Sequence, residues 1–414
     1  MLYGPGLVAH MPEQGMSSTA VLAPNSVEEL GQLIADLHAE GRPWVPSGLG
    51  TRLHWGPPLA ADSGPVLSMR ELSGIIDHAV DDLTITVDAG MPLADLQAAL
   101  AEHQQWLPLN WPWGSSMASP LSAGTIGGLV ARGLSGGLRQ RHLGVRDQII
   151  GISLIRSDGV SARAGGRVVK NVAGYDLMRL LCGSWGSLAL ISALTLRVQP
   201  IRKPRGQLVL KGDFSQLEAF RAEVVGSSFT PEWIDWELRP DQEPKILLGV
   251  ASISDGAVVD QLNRLEMFAA KQGLSTERMS WENTIPEGSF TREDPAWLLR
   301  LCLPPAQLQQ LFSSRECTAL KDWHWQLAAG AGSGEAWQPS GSPAAEYLIE
   351  ALRRRVMALG GQLSVLIQPG AQPGDLTAWL DAPSRPLIEA VKRQFDPKQQ
   401  LCRGRLPGVA APLN

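Results

Sequence analysis

The sequence predicts an α+β protein of two domains and a tail, and three observations carry that prediction. At 414 residues the chain is too long for one ordinary hydrophobic core. Its first half interleaves helix and strand signals with glycine-rich turns, and 15 glycines fall in the 77 residues from 114 to 190 against 43 in all 414. Beyond about Pro200 glycine thins, and strand-like runs alternate with helical ones. The expected divisions are residues 15–200, residues 201–383, and a tail over 384–414 that packs back on the first domain.

Ser26-Val27-Glu28-Glu29 has the form of a capping box, and Leu30, Leu33, Ile34 and Leu37 follow at helical spacing, so a helix is expected up to about Gly41. Trp44 and Val45 read as a short strand running into the turn Pro46-Ser47-Gly48-Leu49-Gly50-Thr51. Residues 83–89 alternate apolar and polar with β-branched residues between, as a half-buried strand does. Gly90 and Pro92 turn this strand into a helix whose stripe is Leu93, Leu96 and Leu100. An irregular small-residue stretch, 114–120, leads to Gly124-Thr125-Ile126-Gly127-Gly128. In the second domain, strands are expected near 208–210, 233–238 and 246–253, with helices over 216–225 and 258–271. A similar order recurs from 296 to 367, which suggests two βαββ-type halves around a Gly/Ala/Ser linker near 328–342. The tail reads as a helix ending near Phe395, then Asp396-Pro397 and an extended segment.

Hydrophobic residues make up 44% and charged residues 19%, as in a globular protein, and the net charge of -5 argues against nucleic-acid or anionic-membrane binding. Cys182, Cys302, Cys317 and Cys402 have no spacing that would hold zinc or an iron–sulfur cluster, and read as incidental thiols. The N-terminus lacks a basic stretch followed by an apolar core, and no segment approaches ~18 uninterrupted apolar residues. The expected location is the cytoplasm, with membrane contact only through partners.

Glycine loops with free N–H groups cradle phosphates. Residues 48–53 are not a nicotinamide-dinucleotide fingerprint, because Leu53 stands where the third glycine would be, and no Gly-Lys-Ser/Thr loop for ATP occurs. Between Arg132 and Lys170 lie eight basic and two acidic residues, a local excess of six positive charges (8 − 2) within a chain of net charge -5. Beside glycine loops, such charge suits cofactor phosphates, an acidic substrate or a partner.

Pro46-x-Gly48-x-Gly50-Thr51, Leu83-Thr84-x-Thr86-Val87-x-Ala89-Gly90, Gly124-Thr125-Ile126-Gly127-Gly128, Val145-Arg146-Asp147 and Asp158-Gly159 together resemble, in order, the PCMH-type FAD-binding domain of the vanillyl-alcohol-oxidase-like superfamily. The likeness covers about residues 15–200. Within that superfamily, the run Gly165-Gly166-Arg167-Val168-Val169-Lys170-Asn171-Val172-Ala173-Gly174-Tyr175-Asp176-Leu177, with Gly183-Ser184-Trp185-Gly186, resembles the FAD-binding E subunits of glycolate oxidase. The resemblance implies a PCMH-type FAD-binding domain followed by an α+β cap. It puts the FAD pyrophosphate against Pro46, Ser47, Gly48, Leu49, Gly50 and Thr51, and closes Pro120, Gly124, Thr125, Gly127 and Gly128 over the cofactor. Backbone near Ile191 meets the adenine end, and Arg146, Asp147, Lys170, Asn171 and Tyr175 complete the set. Thr51 stands where some members tether flavin through histidine, which implies non-covalent FAD.

Larger catalytic relatives carry a histidine pair of the HxH type in the C-terminal domain. Here only His324 lies beyond residue 200, so the catalytic base is unassigned, with His142 a candidate on chemical grounds alone. Phe395-Asp396-Pro397 matches the family's tail, but Cys402-Arg403-Gly404-Arg405 replaces its closing Asn-Pro-Gly-Arg. The implied function is an FAD-binding subunit of a glycolate (2-hydroxy acid) oxidase, oxidising glycolate to glyoxylate beside a larger FAD-binding catalytic subunit and an iron–sulfur subunit. A stand-alone FAD oxidoreductase of an alcohol or hydroxy acid, or a scaffold of the same fold, remain as alternatives.

Overall fold

The computed structural model describes residues 20–59, 62–116, 119–166, 176–279, 295–339, 341–370 and 376–410. They form two lobes. The first begins with β1 (Val21–Leu22) and helix α1 (Val27–Ala39), followed by β2 (Val45–Ser47) and β3 (Val66–Ser68), which join β1 in a parallel sheet of order β1-β3-β2. The α1 cap is built by Ser26, whose Oγ accepts from the Glu29 N–H at 3.1 Å, while Glu29 accepts from the N–H of Asn25 at 2.9 Å. Leu30, Ile34 and Leu37 are buried, and Gly41 takes φ +69° just past the helix end.

A second, antiparallel sheet has the order β4-β5-β8-β6-β7, with β4 Ile75–Ala79, β5 Thr84–Asp88, β6 Ile149–Ile155, β7 Ser161–Gly165 and β8 Leu190–Arg197. Helix α2 (Leu93–Glu102) and the short α3 (Ile126–Arg132) pack into the same core. The stretch read as irregular over 114–120 ends in a 3-10 turn at Pro120–Ala123, and Gly124-Thr125 lead from it into α3.

The second lobe is one eight-stranded antiparallel sheet. Its strands are β9 (Arg205–Lys211), β10 (Trp233–Leu238), β11 (Lys245–Ala251), β12 (Ser275–Met279), β13 (Trp297–Cys302), β14 (His324–Ala328), β15 (Ser333–Gln338) and β16 (Gln362–Ile367). Their order, β12-β9-β11-β10-β14-β15-β13-β16, reads as one four-strand pattern and its reverse, joined at the β10–β14 pair. The duplicated order is therefore real in the backbone, but the expected linker near 328–342 is not a linker. Residues 328–338 close the β14–β15 hairpin and run along β15, both within the second half. Small residues mislead here because Gly332 and Gly334 serve strand geometry: Gly332 has φ +68°, and a Cβ on Gly334 would fall 2.1 Å from the Gln326 carbonyl oxygen.

Strand periodicity of two sorts this sheet into faces. Ile234, Trp236, Leu299 and Leu301 pack on helices α4 (Phe214–Val225), α5 (Asp255–Lys271) and α6 (Glu346–Ala358). The alternate residues Asp235, Leu298, Arg300 and Trp337 turn to the first lobe, where Leu298 and Trp337 cluster with Trp55 and Trp113. Helix α7 (Arg385–Phe395) and the tail return to the first lobe. Leu401 bridges to Trp44, Gln400 Nε2 donates to the carbonyls of Leu37 and Arg42, and the Phe395 carbonyl accepts from Ser157. Lys392, buried, donates to the carbonyls of Ser187 and Leu401 and to Asp396 Oδ2 at 2.6–2.7 Å. Among the described residues no helix is long and apolar enough to cross a membrane.

Candidate functional site

Four chain segments converge at one end of the first lobe. Strand β2 delivers the 48–51 loop, β5 delivers Ala89, α3 begins at Thr125, and β8 opens with Leu190 and Ile191. Their approach is close enough to dictate residue type. A Cβ on Gly48 would lie 2.1 Å from Thr125 Oγ1, which is the α3 cap and accepts from the Gly128 N–H at 3.1 Å. Gly127 donates its N–H to the Ala89 carbonyl at 2.9 Å, and a Cβ there would meet Ala89 at 2.7 Å. Gly50 is different: space surrounds it, but its φ of +76° requires glycine.

These segments enclose a cavity whose walls include Pro46, Ser47, Gly48, Leu49, Gly50, Thr51, Thr125, Gly127, Gly128 and Ile191. Ten of the residues singled out in the sequence are thus brought together. Gly124 sits one layer back, against Thr51, and Pro120 is exposed on its 3-10 turn. Arg146 and Asp147 are not brought to the cavity: Arg146 is exposed, and Asp147 accepts from the Gly144 N–H at 3.2 Å to cap the turn Val145–Gln148. Lys170, Asn171 and Tyr175 lie outside the described residues.

The walls also contain residues that sequence reasoning passed over or left in doubt: Arg52, Arg132, Trp185, Cys402 and Arg405. Arg52 donates to the carbonyls of Ser122 and Trp113 at 2.8 and 2.7 Å, and Arg405 to those of Leu53, at 2.6 Å, and Trp55. Arg132 lies over the Trp55 ring, 5.6 Å from its centroid, and its sealed Nη2 makes no hydrogen bond. Burial first, then the charges of Arg52 and Arg405, hold Arg132 well below the usual guanidinium range. None of the described residues lining this cavity is acidic. Concentrated positive charge without a counter-ion, beside a glycine loop and apolar walls, fits a dinucleotide whose pyrophosphate carries the missing negative charge. A signal for Arg405 did exist in the sequence, since Gly404 and Arg405 keep the family's last two tail positions. Burial raises the Cys402 thiol, which donates to the Trp185 carbonyl at 3.6 Å.

Residues 18–165 match the family model of the FAD binding domain. The first lobe carries an FAD binding domain, and FAD is its cofactor. Among known proteins, the glycolate oxidase subunit GlcE of Escherichia coli (strain K12) is 35% identical over 214 residues, 52% of this chain and 54% of that protein. The glycolate oxidase subunit GlcD of Bacillus subtilis (strain 168) is 30% identical over 233 residues, 55% of this chain and 47% of its own length. The chain thus spans about half the length of these relatives. A D-lactate dehydrogenase of Archaeoglobus fulgidus is 24% identical over 425 residues, 93% of this chain and 90% of that protein. The solved structure of an alkyldihydroxyacetonephosphate synthase shares the fold over 93% of this chain and 77% of its own, with a TM-score of 0.70 at 14% identity.

A second cavity of this FAD-binding protein lies between the lobes, walled by Asn110, Trp113, Ser135 and Gly137 on one side and by Asp235, Arg300, Gln326, Ser333, Glu335 and Trp337 on the other. Arg132 lines both cavities. Arg300 is engaged by Glu335 and by the Ser135 carbonyl. His142, the base candidate from sequence, reaches neither cavity. It is buried against Glu232, which also accepts from Arg202 at 3.1 Å, and Trp106 meets its ring edge-on. Burial pushes Glu232 up, but the His142 hydrogen bond and the charges of His142, Arg202 and Arg141 outweigh it and hold the carboxyl below the usual range. The pair ties the lobes together.

Proposed function

We propose that this chain is an FAD-dependent oxidoreductase subunit acting on a small 2-hydroxy acid, as in a glycolate oxidase assembly with a larger FAD-binding subunit and an iron–sulfur subunit. The observation that carries the reading is the glycine-walled cavity with three arginines and no acidic residue in its described lining. The names of the glycolate oxidase relatives support the substrate class and the assembly. In this reading the chain works in the cytoplasm and meets a membrane only through partners.

Residues 46–51 would hold the pyrophosphate, with Gly50 turning backbone N–H groups toward it and Arg52 and Arg405 fixing the loop while adding positive field. Thr125, Gly127 and Gly128 would cover the cofactor, Ile191 would meet its adenine end, and the family resemblance adds Lys170, Asn171 and Tyr175. Thr51 stands where some members of the superfamily tether flavin through histidine, so in this reading FAD is held non-covalently. Bound FAD supplies a two-electron acceptor that can pass electrons on singly. The protein's own part is to position substrate and exclude water.

Visible absorption of the purified chain, recorded anaerobically before and after glycolate and again with the partner subunits, tests this. A flavin band that bleaches only with partners present supports the subunit reading. No flavin band, even after incubation with FAD, overturns it. A second reading, a self-sufficient hydroxy-acid dehydrogenase, is favoured by the cavity between the lobes and by the D-lactate dehydrogenase relative that runs along 93% of the chain. Bleaching by a hydroxy acid alone would select it.

A further inference from the structure

The buried ammonium of Lys392 uses all three of its N–H groups, and the acceptors come from separate places in the chain. It donates to Asp396 Oδ2 at 2.6 Å, to the Ser187 carbonyl at 2.7 Å and to the Leu401 carbonyl at 2.7 Å. Asp396, also buried, is as fully engaged. Its Oδ1 accepts from the Gln400 N–H at 3.0 Å, and Oδ2 accepts from the Leu401 N–H at 2.8 Å as well as from Lys392. Desolvating two charges offsets most of their attraction, so a buried ion pair stabilises a fold little more than apolar residues of the same volume would. Its contribution lies in geometry, because short charged hydrogen bonds hold the segments they join in one register.

Lys392 and Asp396 do not line the glycine-walled cavity, but both segments they join do. Ser187 closes the 184–187 turn, whose Trp185 and Gly186 are cavity wall and whose chain runs on into Leu190 and Ile191 of β8. Leu401 precedes Cys402, which also walls the cavity, donates its N–H to the Trp44 carbonyl at 3.0 Å and leads to Arg405. Both segments carry strained backbone. Of the seven described non-glycine residues with positive φ, three lie here: Trp185 at +54°, Gln399 at +53° and Cys402 at +50°. Such conformations persist only where the surroundings over-determine them. Where the two turns meet, the Arg405 guanidinium lies over the Trp185 ring, 5.9 Å from its centroid, and donates to the carbonyls of Leu53 and Trp55.

We infer that Lys392 and Asp396 are positioning residues for the cofactor: the pair locks the 399–405 turn against the 184–187 turn and so sets Arg405 in place before FAD binds. The inference rests on the reading that FAD occupies the glycine-walled cavity. The pair carries no net charge, so it acts on FAD through Arg405 and not through a field of its own. A guanidinium already held in place loses no side-chain freedom when the dinucleotide arrives, so its attraction for the pyrophosphate appears in full as affinity. Without the clamp the tail turn would take other arrangements, and Arg405 would contribute only for the fraction of molecules in which it is in place.

Hydrogen exchange of the full chain, stripped of FAD and then reloaded, tests the pre-setting without any substitution. Amides over 399–406 should exchange slowly in the FAD-free protein and change by less than about twofold when FAD is restored. A tail turn that becomes protected only with FAD bound overturns the inference. Titration with FAD then tests the route. Lys392→Met/Asp396→Asn removes the ammonium without stranding a charge. That exchange and Arg405→Met should each raise the FAD dissociation constant about tenfold, and the two together should exceed Arg405→Met alone by no more than about twofold, because the pair acts through the arginine. Losses that multiply, a pair exchange that binds FAD as the parent does, or Arg405→Met with the parent's affinity each overturns the positioning role while leaving FAD binding itself in place. A parent chain that takes up no FAD overturns the cavity reading, and this inference falls with it.

Discussion

Replacing Asp235 by Asn should stabilise the protein, and more so as pH rises. In the unfolded chain the carboxyl ionises near 3.8, whereas burial in the folded protein raises it to about 7. Between those values the unfolded chain releases a proton that the folded protein keeps, so stability falls as pH rises and the full cost is present above the folded value. A separation of about 3 pH units is worth about 4 kcal/mol, more than half of it lost between pH 5 and pH 8. Asn keeps the shape and the Gln326 contact but cannot ionise, so it escapes this cost. For cooperative unfolding of the whole chain, about 4 kcal/mol corresponds to about 5 °C in Tm at pH 8. Thermal melts of the FAD-loaded parent and Asp235→Asn from pH 5 to pH 8 should therefore diverge steadily. Parallel melting curves would mean that the folded carboxyl ionises as readily as the unfolded one, and would refute the account of Asp235.

Lys392→Met should strand Asp396, which also takes the N–H groups of Gln400 and Leu401, and should cost about 3–5 kcal/mol as an unpaired buried charge. Limited proteolysis should then cut the tail beyond α7 faster than in the parent, and unchanged resistance would show that Lys392 does not anchor it. Gly48→Ala should push a methyl into Thr125 Oγ1, loosen the α3 cap at a cost of about 1–2 kcal/mol, and lower the ratio of bound flavin to protein. Full flavin retention in that variant would remove residues 46–51 and α3 from the cofactor site.

Local chemistry explains why parts of this protein could be read directly. Ser26 and Glu29 declare a helix start in four residues because the cap is a contact between near neighbours. The β5 strand shows because one face meets the core and the other does not. The glycines of the 48–51 loop and α3 announce a close approach, although it is their approach to Thr125 and Ala89, as well as any to cofactor, that excludes side chains. The small-residue stretch near 328–342 misled because glycine in a tight hairpin and glycine in a linker look alike without knowledge of the strand partners.

The sequence by itself determined the α+β class, since that depends on residue type at short spacing, and its resemblance to the PCMH-type FAD-binding domain pointed to the kind of cofactor. Only the tertiary structure decided which charges matter. Arg132 is one of eight basic residues in its stretch, yet among the described residues it is the one walling both cavities; Arg405 comes from the far end of the chain to the first loop; Asp235 is one position of an ordinary strand. What distinguishes these three is desolvation together with the partners they lack or reach across the fold. That is a property of the space around a side chain, which is set by segments distant in the chain and leaves no mark on the residues next to it.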